Sequence, residues 1–290
     1  MTDAATPLKV RLLGTGGPWI NPARYGPSVL VSVGAERLLF DCGRGAGIRL
    51  VEAGEDPAHL TAIFLTHHHL DHISDLGDIM ITSWLRGRRD ELVIYGPTGT
   101  AAIVDALLTR VYAKDIEWRD VGEPKWGGWQ PVRAVDIAPG PVADTGRWRL
   151  RCEPVSHGLG LPFSPQFLEQ WQCIGYRLEA AGKVIAISGD TVDCAGVRRL
   201  AEGADMLIHC CFASDGEVAG DAHMASVAQH TLPTASSVGA IAQDSGVGHL
   251  VVTHLRPQPV DALAAIRSDV ASRFDGRLTM GEDLLEFPLA

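Results

Sequence analysis

The alternation of apolar and polar positions along the chain predicts short strands separated by turns and helices. In the first half, five apolar or alternating runs bounded by Gly or Pro predict strands, at residues 8–16, 28–34, 36–43, 60–67 and 91–97. A second series of predicted strands follows at residues 148–158, 172–190, 204–212, 249–257 and 278–289. Helical periodicity is present at 99–115, from Asp71 onward, at 234–246 and at 259–274.

The two series of strands predict one α/β domain, residues 1–290, built from two similar halves. No linker, low-complexity tract or charge block separates the halves. We therefore expect two mixed β-sheets inside the molecule, flanked by helices outside.

Two aromatic-rich segments interrupt this pattern and are predicted to be loops, at about residues 117–146 and at 161–173. Their aromatic side chains have two open interpretations: they pack against the core, or they form the wall of an apolar substrate pocket. The side chains concerned are Trp118, Trp126 and Trp129 in the first segment and Phe163, Phe167 and Trp171 in the second.

The segment FLTHHHLDHISDLGD, residues 64–78, places four histidines directly after an apolar run. Because side chains alternate along a strand, His67 and His69 are expected on one side and His68 on the other. Asp71 and His72 follow at the turn into a helix. Unpaired, these desolvated groups would each cost about 1 kcal/mol or more, and a metal ion would remove that cost. The segment therefore predicts a metal site.

Three later strands also end at a residue able to bind metal, namely His157, Asp190 and His254. Ligands at strand ends along one edge can converge on one site. Residue chemistry suggests two metal positions with Asp190 bridging them. His67, His69 and His157 form one position, and Asp71, His72 and His254 form the other. Imidazole and carboxylate without thiolate favour two Zn²⁺ ions, with Mn²⁺ or Fe as alternatives.

These motifs resemble the metallo-β-lactamase superfamily of metallo-hydrolases, and within it the ribonuclease Z-like branch. The resemblance rests on THHHLDH, SGDT and a final TH, together with LLGTGGP at 12–18, LLFDCGRG at 38–45 and GHLVVTHLRP at 248–257. It covers nearly the whole chain in order. It implies an αββα sandwich with a di-metal site at one edge. It also implies that Asp41 orders that site, although an Asx turn before Gly43 would explain the same residue.

The sequence differs from the tRNA-processing members of this branch at three points, and these differences bear on which substrate is expected. The stretch from His157 to Asp190 lacks the Gly- and Pro-rich basic arm that holds tRNA. Cys210 stands where the H-E-A-T motif of those members has Glu. The catalytic histidine of the family is matched best by His230, about two residues upstream of the usual spacing before the helix capped by Thr234, with His223 as its rival.

Overall charge supports the same expectation about the substrate. The formal net charge is −10, and the densest basic stretch holds only Arg86, Arg88 and Arg89. A protein that binds a polyanion normally shows a basic excess or stripe. We therefore expect a small, partly apolar ester as substrate, such as a phosphodiester, an aryl sulfate, a lactone or a related activated aromatic. Nucleic acid is not expected as a partner.

The expected mechanism is attack by metal-bound hydroxide on an activated centre. Asp71 would orient the nucleophile or accept its proton, and His230 would donate a proton to the leaving group. Two other functions stay open. One is a ribonuclease Z-type endonuclease that processes tRNA 3′ ends, and the other is a metal or ligand sensor without catalysis.

The remaining features predict the cellular setting. No window approaches 18 apolar residues, and the N-terminus lacks the pattern of a signal peptide. The six cysteines form no CxxC pair, which suits reduced thiols. We expect a cytoplasmic protein with no membrane partner. The resemblance to this family and the general frequency of dimers among soluble oligomers favour a homodimer.

Overall fold

The computed structural model describes residues 7–123, 125, 128, 129 and 131–289. Within this described part, the chain divides into two compact units. The first unit contains residues 7–14, 25–137 and 283–289, and the second contains residues 15–24 and 138–282. Each unit holds one sheet and its own core. The organisation of residues 1–290 as one domain stays a prediction.

The sheet of the first unit has seven strands in the order β14-β1-β2-β3-β4-β5-β6. Strands β14, β1, β2 and β3 pair antiparallel, and β3 to β6 pair parallel. The strands are β1 Leu8–Gly14, β2 Ser28–Val33, β3 Glu36–Phe40, β4 Ala62–Phe64, β5 Leu92–Gly96, β6 Val132–Asp136 and β14 Glu286–Leu289.

The sheet of the second unit repeats this arrangement, with seven strands in the order β13-β12-β11-β10-β9-β8-β7. Here β7 to β10 pair antiparallel and β10 to β13 pair parallel. The strands are β7 Gly140–Asp144, β8 Trp148–Pro154, β9 Ile174–Ala180, β10 Lys183–Ile187, β11 Met206–Cys210, β12 His249–Thr253 and β13 Arg277–Met280. The predictions of two mixed sheets and of two similar halves are confirmed.

Helices connect the parallel strands, as such connections require. In the first unit they are α1 Ala46–Glu52, α2 Leu70–Ile73, α3 Leu76–Leu85, α4 Thr100–Ala106 and α5 Ala113–Gly122, with a 3₁₀ turn at Pro57–His59 and a π turn at Leu107–Val111. In the second they are α7 Ala195–Ala201, α8 Asp215–Ala219, α9 Ala222–His230, α10 Ala235–Asp244 and α11 Val260–Ala271. Helix α6, Pro165–Gln170, lies instead between the antiparallel strands β8 and β9. Thr234 caps α10 through a hydrogen bond from the Ser237 N–H, as predicted.

The central parallel strands are largely apolar because both of their faces are covered. All residues of β4 and of β11 are buried. In the first unit, side chains such as Leu39, Ile63 and Ile94 form a core with helices α1 and α3. In the second unit, Leu207 and Leu250 pack in a core with α7, α10 and α11. Each unit therefore fixes the ends of its parallel strands rigidly.

The prediction of an irregular segment at residues 117–146 is wrong, because strands β6 and β7 lie there. Both are edge strands, which pair on one side only. Edge strands tolerate the Pro, Gly and charged residues that hid them in the sequence. Within the same segment, Trp129 packs edge-on against the buried Trp84, with ring centroids 5.0 Å apart, and Trp118 is exposed on α5. Trp126 lies outside the described residues.

The segment at residues 161–173 was also predicted as a loop but contains helix α6. Its start carries a local signal, since the Ser164 hydroxyl accepts a hydrogen bond from the Phe167 N–H and Pro165 occupies the first helical position.

All six cysteines lie in the described part of the chain and are free thiols, as expected. Among the described residues, no helix is both long enough and apolar enough to cross a lipid bilayer.

Two glycines at the same position of two short helices differ sharply in their surroundings. A Cβ on Gly196, the second residue of α7, would lie 1.7 Å from the carbonyl oxygen of Pro154. A Cβ on Gly216, the second residue of α8, would have no heavy atom within 4 Å. We expect Gly196→Ala to lower the free energy of unfolding by at least about 2 kcal/mol through overpacking. Gly216→Ala is the matched control and should be neutral or slightly stabilising. Urea unfolding measures both, and equal midpoints would contradict the close approach.

Candidate metal centre

Asp41, directly after β3, orders the histidines of the first unit. Its Oδ1 accepts a hydrogen bond from the Thr66 N–H at 2.8 Å. Its Oδ2 accepts from the Thr66 hydroxyl at 2.8 Å and lies 2.8 Å from Nδ1 of His72. The carboxylate is buried, and the backbone φ of Asp41 is +55°. Asp41 therefore does more than form a turn, because it fixes side chains of the predicted ligand segment.

These hydrogen bonds also determine where the ring protons of the histidines lie. The Thr66 hydroxyl donates to Asp41, so its oxygen is left to accept from Nδ1–H of His67, 3.0 Å away. Nδ1–H of His72 donates to Asp41. In both rings Nε2 then carries the lone pair, which is the form that binds a metal.

His67 and His69 lie close together in the loop between β4, which ends at Phe64, and α2, so the strand that was predicted to carry them stops before they begin. Nε2 of His67 is 3.0 Å from Nδ1 of His69. His67 is fully buried and His69 is exposed. His68 makes a different contact, since its Nε2 lies 2.8 Å from the Thr100 hydroxyl, and burial lowers its pKa. The roles of His67 and His69 as ligands and of His68 as a structural residue stay predictions.

Asp71 and His72 are buried in the first turn of α2, and Oδ2 of Asp71 is 3.7 Å from Nε2 of His72. The turn is held by backbone packing against the loop after β3. The Cys42 N–H donates to the His72 carbonyl at 2.9 Å, and a Cβ on Gly43 would lie 2.2 Å from the Asp71 carbonyl oxygen. Gly43 of the FDCG motif is therefore required for the close approach of these two segments.

In the second unit, Asp190 lies between two histidines. Its Oδ2 is 3.1 Å from Nε2 of His254 and 3.8 Å from Nε2 of His157. All three side chains are buried. His254 follows β12 with a backbone φ of +59°, and Asp190 follows β10. One carboxylate oxygen facing two imidazoles is the arrangement expected of a bridging ligand.

His157 is oriented by the loop that carries His230. Nδ1–H of His157 donates to the Thr231 carbonyl at 2.7 Å, which leaves Nε2 with the lone pair. The Gly158 N–H donates to the His230 carbonyl at 2.6 Å. Nδ1 of the His230 ring lies 3.2 Å from the carbonyl oxygen of Leu159. His230, the last residue of α9, is thus tied to the segment that follows His157.

His223, the rival of His230, is exposed in the first turn of α9. Its backbone N–H donates to Asp221, which caps the helix. His230, by contrast, is hydrogen-bonded to Gly158 and Leu159 in the segment after His157.

Cys210 stands where the tRNA-processing members have Glu, and its side chain is buried. Its sulfur accepts a hydrogen bond from the Thr191 N–H at 3.4 Å, and burial raises the pKa of its thiol well above the usual value. A neutral thiol cannot supply the charge of a carboxylate. The Leu159 carbonyl instead accepts from the His230 ring. A backbone carbonyl has no sequence signature, and neither this contact nor the Thr66 link was predicted.

The first unit thus groups His67, His69, Asp71 and His72 around Asp41, and the second groups His157, Asp190 and His254. Buried imidazoles with lone pairs on Nε2 and buried carboxylates without thiolate fit Zn²⁺ or a similar divalent ion.

Comparison with known proteins places the chain among metal-dependent hydrolases. The model of the beta-lactamase superfamily domain matches residues 36–255. A protein of Mycobacterium bovis (strain BCG / Pasteur 1173P2) named ribonuclease Z is 35% identical over 281 residues, which cover 96% of each chain.

Two solved structures share the fold. The metallo-β-lactamase fold protein YhfI from Bacillus subtilis has a TM-score of 0.72 at 22% identity, over 98% of this chain and 99% of its own. The short form of human tRNase Z has a TM-score of 0.70 at 21% identity, over 96% of this chain and 98% of its own. The predicted metallo-β-lactamase fold class is confirmed.

The chain belongs to the metallo-β-lactamase superfamily of hydrolases, in its ribonuclease Z-like branch. Its enzyme class is therefore as predicted. Membership implies binding of divalent metal, and the histidine and aspartate groups of both units suit that chemistry.

Two predictions about the substrate are wrong. Both the small, partly apolar ester and the exclusion of nucleic acid conflict with the 35% identity to a protein named ribonuclease Z. That match covers 96% of both chains, so the relative has little room for an additional long arm. The absence of such an arm therefore does not argue against RNA. Net charge was also a poor guide, since it sums over the whole surface, whereas RNA contacts only part of it.

Removing the Asp41 carboxylate charge should weaken metal binding although Asp41 is not a predicted ligand. Asn has one acceptor oxygen in place of two, so it cannot accept from the Thr66 N–H, the Thr66 hydroxyl and Nδ1–H of His72 together, and the tautomers of His67 and His72 would be held less firmly. We expect Asp41→Asn to lower metal affinity by about 10- to 100-fold. Competition with a chromogenic chelator measures this. His68→Asn, which alters a residue outside both groups, should keep the affinity of the wild type. Equal affinities for Asp41→Asn and wild type would show that Asp41 acts only in the turn.

His209, at the end of β11, should make stability depend on pH. It is fully buried, and burial lowers its pKa to about 4 from the ordinary histidine value of 6.5. Above pH 6.5 neither the folded nor the unfolded state binds this proton. As the pH falls from 6.5 towards 4, only the unfolded chain binds it, and stability drops by up to about 3 kcal/mol.

Urea unfolding of wild type and His209→Asn at pH 7.5 and pH 5 tests this effect. We expect the stability loss between the two pH values to be smaller in the variant. An identical loss in both proteins would assign the pH dependence to other groups.

Proposed function

We propose that this chain is a ribonuclease Z-type endonuclease that cleaves precursor tRNA at its 3′ end with the help of two divalent metal ions. Zn²⁺ is the metal that the proposed ligands favour. The observation that carries the proposal is the 35% identity to a protein named ribonuclease Z across 96% of both chains. The fold shared with human tRNase Z agrees with it.

The proposed ligands are five histidines and two aspartates. His67, His69 and His157 would hold one ion, and Asp71, His72 and His254 the other, with Asp190 bridging. Support comes from the ring tautomers, because hydrogen bonds to Asp41, Thr66 and Thr231 leave the Nε2 lone pairs of three of these histidines available. Two bound ions would supply an activated water as nucleophile and positive charge for the phosphate oxygens.

Asp71 and His230 are the proposed catalytic residues. The buried Asp71 carboxylate would orient the attacking water or accept its proton. His230 would donate a proton to the leaving oxygen. Its Nδ1 is held by the Leu159 carbonyl, which directs Nε2 away from that carbonyl and makes it available to substrate. The location of His230 beside the loop of His157 favours it over His223.

Cleavage of a precursor tRNA with a 3′ trailer tests the function directly. We expect the metal-loaded wild type to release the trailer, and His67→Ala to lose both metal and cleavage. His230→Ala should keep its metal and lose about 10²-fold or more in kcat, because general acid catalysis contributes that much. His223→Ala, an exposed histidine of the same helix, is the matched control and should retain the wild-type kcat.

Two results would contradict the proposal. A wild type that binds metal and hydrolyses bis(p-nitrophenyl) phosphate but leaves the precursor tRNA intact would refute the RNA substrate. A large loss of kcat in His223→Ala with none in His230→Ala would exchange their roles.

A further inference from the structure

Three aromatic rings form a series along the segment that follows His157. The ring centroids of Phe163 and Phe167 are 4.5 Å apart, and those of Phe167 and Trp171 are 5.6 Å apart with their planes only 15° from parallel. Phe167 lies in α6, Phe163 precedes the helix and Trp171 directly follows it. Phe163 and Phe167 keep 42% and 40% of their surface exposed. Packing against the core, one of the two interpretations of this segment, leaves this exposure unexplained.

The series begins next to a proposed metal ligand. A Cβ on Gly158 would lie 3.4 Å from Cε2 of Phe163, so this ring is adjacent to the residue that follows His157. The Leu159 carbonyl in the same loop binds the His230 ring. The loop is ordered by backbone hydrogen bonds from Leu161 to Gly158 and from Phe163 to Leu161. The rings therefore have a fixed position beside two residues that the proposed reaction uses.

The chemistry of the segment excludes one way of holding RNA and favours another. Residues 157–171 contain no Lys or Arg and one acidic residue, Glu169. They cannot neutralise phosphates, which is how a basic arm binds. Exposed aromatic rings instead stack on unpaired bases, which is how sequence-tolerant single-strand binding is achieved.

The geometry points to a base-binding platform formed by Phe163, Phe167 and Trp171. It holds an unpaired nucleobase of the RNA next to the scissile phosphate by stacking. The platform rests on the proposed function and deepens it by assigning a contact for the single-stranded part of the substrate. Affinity at this place comes from base stacking, without a gain in phosphate contacts.

Binding of RNA with and without a base tests the platform. The probes are labelled RNAs with the sequence of a precursor tRNA 3′ end, carrying normal bases or one abasic site beside the scissile phosphate, and the measurement is fluorescence anisotropy with the metal-loaded protein. We expect the wild type to bind the complete RNA about tenfold more tightly than an abasic one. Phe167→Leu should remove this preference and Phe167→Trp should retain it. Trp118→Leu, which removes an exposed ring of α5, is the matched control and should behave as wild type.

Salt dependence gives a second readout. The slope of log Kd against log salt concentration should be the same for wild type and Phe167→Leu, because no phosphate contact is lost. A base preference unchanged in Phe167→Leu, or a reduced salt slope, would overturn the platform. The two proposals can also fail separately. If Phe167→Leu loses the base preference but the wild type does not cleave precursor tRNA, the platform is supported and the proposed function is refuted.

Discussion

The hydrogen bonds of one buried carboxylate, that of Asp41, set the chemistry of the first unit. It accepts from Thr66 twice and from His72, and through the Thr66 hydroxyl it also determines the tautomer of His67. The left-handed backbone at Asp41 costs of order 1–3 kcal/mol, and hydrogen bonds to a charged acceptor offset that cost at about 1.5–3 kcal/mol each. A strained turn is therefore maintained because it holds two imidazoles ready to bind metal.

The two units use equivalent positions differently. In each sheet, a block of antiparallel pairs leads to a central strand, β3 or β10, from which parallel pairing continues. Asp41 follows β3 and Asp190 follows β10. The Asp41 carboxylate orients histidines through hydrogen bonds to Thr66 and His72. The Asp190 carboxylate instead faces ring nitrogens of His157 and His254 directly. One topology thus supplies both a carboxylate that orients ligands and a candidate bridging ligand.

The sequence predicted those features that local chemistry determines. Buried strands were found because they are continuously apolar. Strand alternation does not apply to His67, His68 and His69, because β4 already ends at Phe64. The edge strands β6 and β7 were missed, since pairing on one side imposes no apolar pattern. The Leu159 carbonyl was missed because backbone groups leave no trace in the sequence. The substrate class was judged wrongly because net charge and the lack of an arm describe only what is missing. The rings of Phe163 and Phe167 were recognised in the sequence, but their exposure is seen only in the structure.

Strand β14 gives the first sheet an unusual dependence on distant parts of the chain. It pairs with β1 through Leu8–Leu289 to Arg11–Glu286, and Lys9 and Arg11 both form ion pairs with Glu286. During synthesis, the outer edge of β1 must remain without this neighbour while nearly all of the chain emerges. Pairings of such high sequence separation form slowly, and an open strand edge is a site of association. The interval before β14 arrives is therefore the stage at which the nascent protein is most exposed to aggregation.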